Sequence, residues 1–132
     1  MNKQIGFFFI IVLMMGCAPH PKSKHSSSFP SSHSSSAPLT PAQSASVALV
    51  EQGREAALSG RYDQAADIFQ EAISVDPSNG VAYYELAVVR SRSGDYGDAW
   101  GFLEKAESLL GHNPQWQDSL NALRQELSQK KP

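Results

Sequence analysis

The sequence predicts an all-α fold, a short stack of helix-turn-helix units closed by one further helix, and three observations predict it. The first is an internal repeat. When the chain is slid by 34 residues, Gly60 falls on Gly94, Tyr62 on Tyr96, Ala65 on Ala99 and Ala72 on Ala106. Bulky positions keep the same offset, Leu49 onto Tyr83, Ile68 onto Phe102 and Phe69 onto Leu103, while Gly53 falls on another small residue, Ala87. A period of this length suits a helical hairpin stacked on its own copy. The second is helical spacing within the units, as in Ala65, Ile68, Phe69 and Ala72. The third is punctuation, with Gly60, Gly94 and Gly111 where helices should stop and Pro41 and Pro114 where they should start.

The elements follow in chain order. Residues 1–16 read as a targeting segment: Lys3 supplies positive charge, Gly6 to Met15 is an uninterrupted apolar run, and Gly16 precedes Cys17, the only cysteine. The run is shorter than the ~20 apolar residues of an ordinary transmembrane helix. A lone cysteine cannot form an intramolecular disulfide, and this one directly follows a short apolar stretch and a small residue. The segment resembles the signal of bacterial lipoproteins. That resemblance implies that the Cys17 thiol is diacylated, that the chain is cut before it, and that the new amino group is acylated as well. Several acyl chains give the stable anchoring that one does not. Met14 and Met15 depart from the pattern, which prefers Leu and then a small residue. Enterobacterial lipoproteins held in the inner membrane resemble one another in an Asp after the cysteine; Ala18 stands here, which implies the periplasmic face of the outer membrane.

Residues 17–45 are expected to be a disordered linker, rich in Ser, Pro and His, which cannot bury enough apolar surface to fold. As a flexible coil it would span roughly 30 Å. Its histidines, His20, His25 and His33, are irregularly spaced and without cysteines or carboxylates beside them, so they read as incidental. The alternative is a metal-binding or metal-sensing tether for which the repeats are only a scaffold.

Thr40-Pro41-Ala42-Gln43 is a helix start, with a capping hydroxyl, Pro at the first helical position and Gln at the third. The first helix should run to about Ser59 and the second from about Tyr62 to Val75, stopped by Asp76-Pro77. The next pair is expected from about Asn79 to Ser93 and from Tyr96 to Leu110. Asn113-Pro114 opens a fifth helix carrying Trp116, Leu120, Leu123 and Leu127 on one side.

These units resemble tetratricopeptide repeats. The first, residues 46–79, matches with Leu49, Gly53, Gly60, Tyr62, Ala65, Phe69, Ala72 and Pro77, and departs at Gln52 and Ala56. The second, residues 80–113, matches with Tyr83, Leu86, Ala87, Gly94, Tyr96, Ala99, Leu103 and Ala106, and departs at Arg90 and Gly111. Residues 114–130 look like the family's terminal capping helix. Two units and a cap are the lower limit for such an array, which implies a second copy of the chain or a partner as a source of stability.

Composition and motifs exclude several functions. With 11 basic and 13 acidic residues the net charge is -2, so nucleic acid is not an expected partner. No nucleophile with a base and no metal cluster is visible, and Glu55, Asp67, Glu71, Glu104 and Glu107 lie on helices whose other faces are apolar. The chain is therefore expected to bind rather than catalyse, without cofactor or metal. The resemblance implies a concave groove lined by the first helix of each pair: Val50, Arg54 and Ala57 from one unit, Tyr84, Val88 and Ser91 from the other, with Arg92 adjoining. Arg would pair a carboxylate and Tyr would give rigid contact area to a peptide. The competing reading buries Tyr84 and Val88 against the next helix. A carboxylate clamp found in some of these domains is not reproduced, since its positions hold Val50, Glu51 and Arg54. Small lipoproteins of this design resemble assembly factors of pili or secretion channels and adaptors of cell-wall enzymes, which implies an envelope protein as partner.

Overall fold

The computed structural model describes residues 38–130, which form five helices: α1 (Pro41–Leu58), α2 (Tyr62–Val75), α3 (Gly80–Ser93), α4 (Tyr96–Leu110) and α5 (Pro114–Gln129). The leader at 1–16, Cys17 and the histidines His20, His25 and His33 lie outside the described residues. None of the described helices is long and apolar enough to cross a membrane.

The start of α1 is set by two reciprocal bonds: the Gln43 N–H donates to Thr40 Oγ1 at 3.2 Å, and the Thr40 N–H donates to Gln43 Oε1 at 2.9 Å. This capping box satisfies end groups that a helix cannot pair internally, and Pro41 has no N–H to lose. The helix starts where Thr40-Pro41 places it, so residues 41–45 are the first turns of α1, ahead of the repeat's own register at 46.

Each hairpin turns through a glycine in the left-handed region, Gly60 at φ 75° and Gly94 at φ 88°. Around Gly94, its own N–H donates to the Ser91 carbonyl and the Asp95 N–H to the Arg90 carbonyl; Gly60 and Arg61 repeat the arrangement on Ala57 and Ala56. These are Schellman closures, which need a residue free to take positive φ. Arg90 stands where an aromatic is usual, and its guanidinium reaches across this turn to Asp95 at 3.3 Å. Between the units Asp76 is extended, as a residue before proline must be, and Asn79 caps α3 by accepting the N–H groups of Val81 and Ala82. Asn79 is thus the cap of α3 rather than its first helical residue.

The helices fold back in pairs, α1 on α2 and α3 on α4, and the pairs stack so that α2 meets α3 and α4 meets α5. Two buried clusters follow. One joins Val50, Ala56, Ala65, Ala66, Ile68, Phe69 and Ala72 to Ala82, Leu86 and Val89 of the second unit; the other joins Ala87, Ala99, Leu103 and Ala106 to Leu120, Leu123 and Leu127 of α5. The small positions of the repeat permit the close approach. A Cβ on Gly53 would stand 2.5 Å from the Phe69 ring, so the large residue on α2 requires the missing one on α1. At the equivalent place the second unit pairs Ala87 with the smaller Leu103, and both are fully buried.

A polar residue that the amphipathic pattern does not mark, Ser46, is also fully buried. Its hydroxyl donates to the Ala72 carbonyl and accepts from Asn79 Nδ2, both at 2.8 Å. One network therefore ties α1 to the end of α2 and to the cap of α3, with each buried polar atom satisfied.

Candidate functional site

Because α1 touches α3 and α3 touches α5, the first helices of successive units lie side by side and form one face of the array. The 34-residue offset arranges their side chains in rows across it. Arg54, Val88 and Ala122 make one row, and Leu58, Arg92 and Glu126 make the next. Leu58 is 89% exposed, and Ala122 is exposed as well.

The structure separates the candidate residues into three groups. Val50 and Ser91 are each only 3% exposed, so both are corrected from ligand contacts to packing positions. Val50 belongs to the first core cluster, and the Ser91 hydroxyl donates to Glu126 Oε1 at 2.9 Å. Arg54 is half-buried and already committed: its Nε donates to Glu85 at 2.7 Å and its Nη1 to Glu51 at 2.6 Å. The carboxylate expected from a partner is supplied instead by this chain. Ala57 is half-buried beside the first cluster.

Tyr84, Val88 and Arg92 are brought together. With Ala122, Leu123 and Glu126 of α5 they line a cavity of about 170 Å³ between α3 and α5. Tyr84 and Val88 are each half-buried, pack toward the second cluster, and line this opening. The Tyr84 ring meets Trp116 edge to face at 5.2 Å between centroids, which fixes the wall of the pocket. Burial, then the neighbouring Glu85 carboxylate, pushes the Tyr84 hydroxyl above the ordinary tyrosine value, while a hydrogen bond with Ser119 pulls it back. Arg92 is exposed at the rim and has no ion pair among the described residues.

Sequence reasoning missed the α5 wall altogether. Ala122 and Glu126 fall two offsets from Arg54 and Leu58, so extending the period once more would have found them. Among the described residues, no group of three or more His, Cys, Asp or Glu is placed to hold a metal ion. A protein-family model described as a tetratricopeptide repeat matches residues 56–123, just over half of the chain and from the end of α1 into α5. Comparison with curated proteins gives no match.

Proposed function

The chain belongs to the tetratricopeptide repeat family, a protein-interaction scaffold, and from that premise we propose that it is a membrane-anchored adaptor or assembly factor that docks a short segment of another envelope protein on the α1–α3–α5 face. The observation that carries the reading is the pocket between α3 and α5, walled by Tyr84, Val88 and Leu123 and rimmed by Arg92 and Glu126. Apolar walls with a few placed charges are what a recognition pocket needs, and rigid tyrosine gives contact area at low entropic cost. The anchor is supported by the apolar run ending in Gly16-Cys17 and the outer-membrane address by Ala18.

A photo-crosslinking side chain at Ala122, in native cells, should trap a heterologous envelope protein that the same probe at Asp67, on the exposed side of α2, does not trap. Adding Arg92→Ala, which removes a rim donor without adding negative charge, should weaken the crosslink without changing the melt. A partner trapped only from Asp67 would overturn the groove. For the anchor, Cys17→Ser should release the protein from membranes or block its processing; unchanged mature size and membrane retention would overturn that part.

A further inference from the structure

Resting on the groove reading above, we propose that the pocket between α3 and α5 receives one lysine or arginine side chain of the docked segment, its aliphatic stem along Val88 and Leu123 and its charged head on Glu126. Size sets the first limit. At about 170 Å³ the cavity falls below the ~300 to 1,000 Å³ of sites that enclose whole small molecules, so it fits one long side chain. The walls set the second, because an apolar floor with a carboxylate at its edge matches a residue that is hydrocarbon along its stem and cationic at its tip.

Charge decides the sign. Glu126 is held in place by the Ser91 hydroxyl on Oε1, yet no cation neutralises it among the described residues, which leaves Oε2 for an incoming donor. The Tyr84 side chain lines the same pocket beside it. Arg92 lines the same pocket but is exposed, so its guanidinium can turn outward and donate to main-chain carbonyls of the segment. Across the whole face, Glu51, Glu85, Asp118 and Glu126 outnumber Arg54 and Arg92, and Arg54 is spent on Glu51 and Glu85. The imbalance extends to the folded region. All 13 acidic residues of the chain lie between Glu51 and Glu126, where the basic ones are Arg54, Arg61, Arg90, Arg92, Lys105 and Arg124. Such a field draws in a cationic segment and repels an acidic one.

The test uses the isotope-labelled full chain titrated with four capped tripeptides, Gly-X-Gly, in which X is Lys, Arg, norleucine or Glu. The Lys and Arg peptides should shift the backbone amides of Val88, Leu123 and Glu126 saturably. Norleucine, which keeps the stem and lacks the charge, should bind about tenfold more weakly, as should the Lys peptide on Glu126→Gln. Raising the salt should weaken the Lys peptide, and Asp67→Asn on the far side should leave it unchanged. The proposal is overturned if the Lys peptide binds nowhere or shifts α2 instead, if the Glu peptide binds as well, or if Glu126→Gln has no effect. Loss of the Ala122 crosslink site would instead sink the docking reading, so the two failures are distinguishable.

Discussion

The two repeats place the same helical positions in opposite surroundings. In the second unit Ala82, Leu86 and Val89 of α3 are buried in the cluster that α2 contributes to. One offset earlier, α1 carries Ala48, Gln52 and Glu55 at these positions, and all three are exposed. The far end is treated in the same way: where α1 has Leu49, Gly53 and Ala56 turned toward its own partner helix, α5 has Gln117, Asn121 and Arg124, again exposed. Arg124 is tied to Glu107 of α4. A repeat sequence thus tells where it stands in the array, because only an interior unit has two neighbours to bury against. Gln52, a departure from the family pattern, is the mark of a first unit.

Exchanging the two environments gives the largest expected effect. Leu86→Gln should lose about 4 kcal/mol in denaturant melts, from a buried leucine removed and an amide left without water. Gln52→Leu, the reverse change one offset earlier, should stay within about 0.5 kcal/mol and instead produce self-association in sedimentation. Equal effects at the two sites would break the comparison. The next test concerns the paired volumes. Gly53→Ala should cost about 1 to 2 kcal/mol despite its better helix propensity, because Phe69 must move; adding Phe69→Leu should recover part of it by copying the Ala87–Leu103 pair. An additive double variant would show that the two residues are not coupled. The smallest contrast lies in the caps, which are also one offset apart. Asn79→Ala should cost about 1 to 2 kcal/mol, since it feeds α3 and the buried Ser46, and Asn113→Ala about 0.5 to 1, since it accepts only the exposed Gln115 N–H.

Local signals carried most of the fold. The Thr40 cap, the glycine turns and the proline stops act within a few residues, so the helix ends could be placed from the chain alone. The offset supplied the stacking. What it could not supply was the depth of a residue at the edge of a face. Val50 and Ser91 sit at the boundary between core and groove, and Ser91 is covered by Glu126, 35 residues away. Arg54 reads as available because its partner Glu85 lies 31 residues on, and nothing near Ser46 in the sequence marks it as buried, since Asn79 lies 33 residues on. Each such partner is close to one repeat away, so distances near the period deserve the same scrutiny as neighbours in sequence. The small-on-small pair Ser46 and Gly80 was a readable hint that something packs closely there.

The polar residues at the two ends also govern how molecules of this chain can meet. Two complementary ends on one molecule form a head-to-tail contact, and a contact of that kind that does not close into a ring grows into an open filament. With Gln52 and Glu55 beside Ala48 at one end and Gln117, Asn121 and Arg124 at the other, the described helices carry mostly polar side chains at these end positions, which works against such growth. Crowding the molecules together would then raise their density without lengthening the stack.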